Sequence, residues 1–211
     1  MPCCGRCGIA FAVAALGGVE QICEACEAAP PLFRQARAAL TYDEQGRRLI
    51  LPFKHADRIE LARVLVPHMA RAGMALLQRT EVIVPVPLHR RRLFHRRYNQ
   101  SVLLAAALGR MSDRLVLRDS LRRIRPTVPL GEKSALEREA EVSGAFGVRR
   151  GHGVHISGRQ VLLVDDVMTS GATTNACAAV LLAAGAAAVD VLVAARVPAH
   201  HSPVQDKEDD L

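Results

Sequence analysis

Val161-Leu162-Leu163-Val164-Asp165-Asp166-Val167-Met168-Thr169-Ser170-Gly171-Ala172-Thr173-Thr174 is the stretch whose reading decides the fold. Four aliphatic residues open it with no polar residue alternating between them. The strand they predict is therefore covered on both faces, as in a parallel sheet. Two carboxylates follow, where such a strand is expected to end. Small hydroxyl residues then surround Gly171, and the Ala-rich run 172–184, free of Pro and Gly, predicts a helix. A helix start offers unpaired N–H groups and the positive end of the helix dipole. Thr169, Ser170, Thr173 and Thr174 add hydroxyl donors, and Gly171 lets the backbone approach a ligand closely. A phosphate suits that loop. Asp165 and Asp166 would repel it from inside the loop, so they read better as acceptors for sugar hydroxyls or as ligands of a divalent cation. The plainer alternative is a strand whose acids only cap the next helix.

The whole chain has 211 residues, half of them apolar, enough for one α/β domain with an appendage and a sizeable core. No apolar run is long enough to span a membrane, so no membrane insertion is expected. Ile9 to Gly18 has the length of a signal-peptide core, but cysteines crowd its leader and Arg6 is its only charge. A cytoplasmic location is the expectation. The formal charge is +7 although the tail carries Asp206, Glu208, Asp209 and Asp210 against Lys207. Lys54, Lys133 and Lys207 are the only lysines among 28 basic residues. Such an Arg-rich body suits polyphosphate or nucleic acid. With 3% aromatic residues and no Trp, base stacking is not expected as the main binding mode.

Cys4-Gly5-Arg6-Cys7 and Cys23-Glu24-Ala25-Cys26 are two CxxC pairs separated by 15 residues, the spacing of a four-cysteine zinc site. Tetrahedral zinc closes with four thiolates, which makes such a site structural. A segment this short needs the metal to fold. Cys3 is a spare that allows another register. The competing readings are a disulfide, disfavoured in the cytoplasm, and metal-free thiols. The expected organisation is a finger over 1–29, a main domain over 30–198 and an acidic, unfolded tail over 199–211.

Between these landmarks, Phe33–Tyr42 reads as a strand and Asp43–Gly46 as a turn. Asp57 caps a helix through Leu61, Leu65 and Met69, whose second half Pro67 disfavours. Lys54 reads equally well as a surface group and as part of a site. Glu81–Val86 is a short strand ended by Pro85 and Pro87. Five arginines follow between His89 and Arg97, and as a cluster leaving a parallel strand they suit a diphosphate. Ser101–Leu108 is a helix expected to end at Gly109, Leu115–Leu117 a strand, 133–142 a helix, Gly144–Val148 a strand and Val189–Ala194 a further buried strand. Cys177 reads as core.

The stretch 161–174 resembles the 5-phosphoribosyl 1-diphosphate (PRPP) signature of the type I phosphoribosyltransferases. The chain as a whole, from Cys4 to Val197, resembles the ComF family, zinc-finger-bearing phosphoribosyltransferase homologues linked to DNA uptake. The residues that carry this are the two CxxC pairs, Phe53-Lys54, Val84-Pro85-Val86-Pro87-Leu88, Arg96-x-Tyr98-Asn99-Gln100, Gly144-Ala145-Phe146 and Val161–Thr173. The resemblance implies a type I phosphoribosyltransferase fold, a parallel sheet flanked by helices, with a small Cys4 zinc finger. It implies that Asp165 and Asp166 hold the ribose hydroxyls as the catalytic pair. Thr169, Ser170, Gly171, Ala172 and Thr173 would hold the 5-phosphate. Pro87, Leu88 and His89 would form the diphosphate loop, with Mg²⁺ bound through the diphosphate, and Arg118–Arg138 a closing loop. Arg97 and Tyr98 stand where the family usually has Gly and Phe. Pro129-Leu130 and Glu141 depart from the usual Gln and Asn. These departures bear on the acceptor site and on turnover.

Two classes of function follow from the resemblance. One is a phosphoribosyltransferase, a glycosyltransferase-class enzyme acting on an unknown acceptor. The other is a PRPP- or nucleotide-sensing adaptor without turnover, whose finger docks a DNA-uptake helicase or channel. A third reading, single-stranded DNA binding through the arginine clusters, rests on charge alone.

Overall fold

The computed structural model describes residues 2–11, 13, 21–55, 58–88, 98–125 and 134–198. His89 and the arginines up to Arg97, Asp57, the stretch 126–133 and the tail 199–211 lie outside the described residues.

Five parallel strands form the main sheet, in the order β1-β7-β6-β2-β3. They are β1 (Gln35–Thr41), β2 (Val82–Pro85), β3 (Leu115–Val116), β6 (Gln160–Met168) and β7 (Ala188–Arg196). The expected architecture, a parallel sheet flanked by helices, is borne out. Its central strands are apolar without alternation because both faces are covered. Val161 and Leu163 pack in one cluster with Val82, Val84, Val189 and Val191, while Leu162 and Val164 pack in the other with Ile83 and Leu192. Successive side chains on a strand point to opposite faces, so one apolar run feeds two cores. The helices α2 (Glu44–His55), α3 (Ala62–Ala72), α4 (Met74–Arg79) and α5 (Gln100–Ser112) supply the second cluster. The helix α7 (Ala172–Ala183) and the cysteine-rich N-terminal segment, with its short α1 (Glu24–Ala28), supply the first.

A two-stranded antiparallel ribbon, β4 (Leu121–Arg123) with β5 (Phe146–Val148), stands beside the main sheet. Before β5 lies α6 (Ala135–Val142), closed by a reciprocal capping box between Ser134 and Glu137. The stretch expected to be a closing loop, Arg118–Arg138, therefore contains a strand and the start of a helix.

Several expectations need correction. The segment expected as a turn at Asp43–Gly46 begins α2 at Glu44, and that helix runs through Pro52. Pro67 likewise sits inside α3 without ending it. A proline costs one helical hydrogen bond and crowds the preceding turn. Fully buried Ile50 and Phe53 in α2, and Leu65 and Met69 in α3, offset that cost through core packing. β6 also does not end at Val164; it continues through both acids to Met168. Nor does Gly109 stop its helix. α5 runs on to Ser112 and ends on Asp113, which adopts a left-handed conformation with φ of 53°.

Gly109 has a different purpose. A β-carbon there would meet Val116 Cγ2 at 2.2 Å and the Arg114 carbonyl oxygen at 2.9 Å, so the glycine lets the edge strand β3 lie against α5. In an exposed helix interior, Gly→Ala is worth about 1 kcal/mol of added stability. Here Gly109→Ala is expected to lower the urea midpoint instead, and a midpoint at or above that of the wild type would contradict the contact.

Candidate functional site at the carboxyl edge of the central strand

The sheet order places a reversal between β2 and β6. From β2 the chain crosses outward to β3, and from β6 it crosses the other way to β7. Open parallel sheets leave a crevice outside the carboxyl ends of strands at such a point. β2 ends level with β6 at Pro85 opposite Val164, and the N–H of Val86 donates to the Val164 carbonyl at 2.9 Å. Beyond that level β6 pairs with β7 alone, through Asp165, Val167 and Met168. Both acids therefore occupy the part of the central strand that has outrun one neighbour.

Each carboxylate secures the main chain there. Oδ1 of Asp165 accepts the N–H of Asp166 at 2.9 Å, and Oδ1 of Asp166 accepts the N–H of Val167 at 2.6 Å. The Ser101 hydroxyl donates to Oδ1 of Asp165 at 2.9 Å. Lys54 Nζ lies 3.7 Å from Oδ2 of Asp166, an ion pair rather than a hydrogen bond. Oδ1 of both acids is thus committed to the protein, while among the described residues no hydrogen bond takes Oδ2.

Ser101 and Lys54 are delivered by α5 and α2, which are latched to each other. Asn99 caps α5 by accepting the Ser101 N–H at 3.0 Å, and its Nδ2 donates to the Val86 carbonyl at 3.1 Å. Gln100 Nε2 donates to the Lys54 carbonyl at 3.1 Å, and the Tyr98 hydroxyl donates to the Phe53 carbonyl at 2.8 Å. Tyr98-Asn99-Gln100 and Phe53-Lys54, separate in sequence, form one structural lock under the acids. Tyr98, where a Phe was the usual residue, uses its added hydroxyl in that lock. Ser101 was missed from the sequence because nothing local distinguishes it from other helix-start serines.

Burial pushes the Asp165 carboxyl up to about 7, and the adjacent Asp166 charge adds to the rise. The Asp166 N–H, the Ser101 hydroxyl and Lys54 pull the other way without overcoming it. A divalent cation or a hydrogen-bond donor on Oδ2 would favour the ionised form.

The hydroxyl loop follows directly, and a depression beside it is lined by Asp165 and by every residue from Val167 to Thr174. Gly171 begins α7 with φ of 89°, a conformation that L side chains avoid, and a β-carbon there would meet Met168 Cε at 2.7 Å. Thr169 and Ser170 are exposed, and Ala172 and Thr173 are half-buried. No side chain closes the α7 cap in full; the Ser170 hydroxyl accepts the Ala172 N–H at a long 3.4 Å. Thr174, expected among the donors, is buried, and its hydroxyl donates to the Gly171 carbonyl at 2.9 Å. It braces the loop from behind. Pro87 and Leu88 follow the end of β2 and are half-buried. Cys177 is fully buried in α7, as expected of a core residue.

On β1, the edge strand opposite β3, Cys4, Cys7, Cys23 and Cys26 bring their sulfurs within 4.8 Å of one another. Cys3 stands outside this set, which decides between the two registers. Zn–S bonds of about 2.3 Å in a tetrahedron separate the sulfurs by about 3.8 Å, so a small inward movement closes the site. The donor chemistry fits. Burial pushes the Cys4 thiol up, but the N–H groups of Cys7, Cys23 and Arg6 outweigh it and bring it down to about 7. Burial pushes Cys7 up to about 11 and raises Cys26 as well. Four enclosed thiols can ionise together only around a cation, and these four could hold a structural zinc. The knuckle is docked on the sheet: the Ala36 N–H donates to the Arg6 carbonyl at 2.6 Å, and Gln35 Nε2 donates to the Gly5 carbonyl at 3.0 Å.

Among the described residues no helix is long and apolar enough to cross a membrane. No family model matches the chain. It is similar to the DNA utilization protein YhgH of Escherichia coli strain K12, with 33% identity over 174 residues, 80% of this chain and 75% of that protein. It is also similar to Competence protein F of Haemophilus influenzae, with 31% identity over 200 residues, 92% of this chain and 85% of that one. Among solved structures, orotate phosphoribosyltransferase from Aeropyrum pernix aligns with a TM-score of 0.42 and 16% identity, over 67% of this chain and 75% of that one.

Two outcomes are expected. Folded protein holds the Asp165 proton to about pH 7, whereas the unfolded chain releases it near 3.8. In that window the folded state binds more protons, so the stability of ligand-free protein should fall as pH rises from about 4 to about 7. Asp165→Asn should flatten this part of the urea-midpoint profile relative to wild type; an unchanged slope would show that Asp165 titrates normally. Freshly purified protein should also contain one zinc per chain by native mass spectrometry, and Cys7→Ser should reduce that content sharply.

Proposed function

The chain belongs to the ComF family, and from that premise we propose that it is a phosphoribosyltransferase-like protein that binds PRPP with Mg²⁺ and serves in DNA uptake. The single observation that carries the reading is the order of groups along one strand end. A carboxylate pair, then a hydroxyl loop, then an incompletely capped helix start follow one another at the crevice between β6 and β2.

In this reading Asp165 and Asp166 turn their Oδ2 atoms to the ribose hydroxyls. Thr169, Ser170, Gly171, Ala172 and Thr173 enclose the 5-phosphate with hydroxyls and backbone N–H groups. Pro87, Leu88 and His89 would form the diphosphate loop, and bound Mg²⁺ would supply counter-charge for the leaving group. Transfer would break the bond from the anomeric carbon to the diphosphate oxygen, which leaves with the electron pair. A bond from the acceptor to that carbon forms, and the acceptor's proton passes to solvent. Positive charge grows on the ribose ring during this exchange, and the two carboxylates lie on the side where they lower its energy. Lys54 joins the proposed site as the cation that holds Asp166 in place, and Ser101 as the donor that orients Asp165.

The names of the relatives, DNA utilization and competence, support a place in the handling of incoming DNA. The reading has two forms, transfer of phosphoribosyl and sensing of PRPP.

Isothermal titration with PRPP and Mg²⁺ should give saturable binding by the wild type, and Asp165→Asn/Asp166→Asn should weaken it by at least about 100-fold, two lost charge-assisted hydrogen bonds at roughly 1.5–3 kcal/mol each. Wild-type protein that ignores PRPP would end the reading. A diphosphate-release assay across nucleobases then separates the two forms of it, since binding without release marks a sensor.

A further inference from the structure

We propose that Lys54 decides what the acid pair accepts: its ammonium holds the place beside Asp166 that a directly bound divalent cation would need, so Asp165 and Asp166 take a sugar diol rather than a metal. The diol half of the proposal rests on the reading of the pair as the ribose site, whereas the exclusion of metal does not.

By charge alone, two adjacent carboxylates suit either ligand. A divalent cation prefers about six or more oxygen ligands at roughly 2.0–2.6 Å. A diol offers two uncharged donors, each able to make a charge-assisted hydrogen bond to a carboxylate. The groups around the pair favour the diol. Oδ1 of Asp165 already accepts two donors, the Asp166 N–H and the Ser101 hydroxyl, both at 2.9 Å. Oδ1 of Asp166 accepts the Val167 N–H at 2.6 Å. Of the remaining oxygens, Oδ2 of Asp166 lies 3.7 Å from Lys54 Nζ. Nor does a third ligand stand near. Among the described residues the four cysteines are the only group of three or more His, Cys, Asp or Glu side chains close enough together to hold a metal.

The ammonium is also firmly placed. The Lys54 side chain is 19% exposed and that of Asp166 14%, so water and salt screen the contact weakly. Lys54 sits in the last turn of α2, where Gln100 Nε2 donates to its carbonyl and the Tyr98 hydroxyl donates to the Phe53 carbonyl. Phe53 and Gln100 are themselves buried. A divalent cation on Oδ2 of Asp166 would stand against this fixed like charge in a poorly screened setting. A hydroxyl meets no such repulsion. Because 3.7 Å is too long for a hydrogen bond, the three N–H groups of the ammonium are not spent on Asp166 and can donate to a ligand oxygen. Mg²⁺ then enters with the diphosphate and not through the carboxylates.

The test reads metal binding directly, on full-length protein as purified. Mn²⁺ stands in for Mg²⁺, and its free concentration is measured by electron paramagnetic resonance in the absence of PRPP. The proteins are wild type, Asp166→Asn, Lys54→Arg, Lys54→Met and Lys54→Met/Asp166→Asn, with far-UV circular dichroism as the check on folding. Wild type, Asp166→Asn and Lys54→Arg should share one weak background. A charge within about 4–6 Å moves proton binding by roughly one to three powers of ten, so Lys54→Met should gain a Mn²⁺ site at least about tenfold tighter than that background. Adding Asp166→Asn should remove the gain. A wild-type Mn²⁺ site that Asp166→Asn abolishes would overturn the proposal, as would a folded Lys54→Met protein with no gain, or a gain that survives Asp166→Asn. If Lys54→Met does not fold, Lys54→Gln, which removes the charge but keeps a polar end, takes its place. Calorimetry with PRPP addresses the diol. Mg²⁺ in excess of that needed to load PRPP should leave wild-type affinity unchanged and weaken it in Lys54→Met, where metal competes for the carboxylates. Equal sensitivity of the two proteins to excess Mg²⁺ would count against the proposal. Wild type that ignores PRPP would end the ribose reading by itself, and the Mn²⁺ titrations would still judge Lys54.

Discussion

Two carboxylates on consecutive residues of a central strand repel each other and resist burial, and much of the surrounding structure serves to hold them there. Asp165 and Asp166 occupy the segment of β6 that continues after β2 has stopped. Their Oδ1 atoms accept the N–H groups of Asp166 and Val167 in that segment. Ser101 and Lys54 add a donor and a cation from two helices. The residual strain shows in Asp165, whose carboxyl is pushed up to about 7 by burial and by its neighbour's charge. A site built this way is incomplete without a cation or donors at the free oxygens, which is a physical reason for a ligand to bind there.

The supports form a chain of dependence. The acids need the N-terminus of α5, which needs Asn99 as its cap and as a tie to Val86. They also need the C-terminal turn of α2, held by Gln100 and Tyr98 through the Lys54 and Phe53 carbonyls. At the other end of the sheet, Asp190 is buried under Arg34 and Arg79, which donate to both its oxygens. Burial alone would raise that carboxyl, but the two guanidiniums hold it below its ordinary range. This ion group pins the start of β1 to β7 and α4. The sheet thus carries one carboxylate under two guanidiniums at its amino edge and two adjacent carboxylates with a single cation, Lys54, at its carboxyl edge.

Much was legible in the residues because it depends on local pattern. The unbroken aliphatic run of β6, the glycine at 171 and the CxxC pairs each specify a backbone outcome within a few positions. Where local rules and packing disagreed, packing prevailed. Pro67 read as unfavourable to the second half of its helix, yet it lies inside α3 because Leu65 and Met69 bury large side chains beside it. Gly109 read as a stop but is a contact point for β3. Thr174 read as a donor, yet the first turn of α7 rotates it inward to brace Gly171.

From the sequence by itself came the α/β class, the loop at 169–173, the acid pair and the four cysteines that could hold a metal, since each is written in residue type and spacing over a short span. Only the tertiary structure decided which cysteine is left over, that β6 outruns β2, and that Lys54, Ser101 and Arg196 converge on the ends of that strand. Those facts depend on contacts between segments roughly 30 to 110 residues apart, as in the pairs Thr169–Arg196 and Lys54–Asp166. Side-chain reach across such separations is set by strand register and helix docking, for which no short pattern exists.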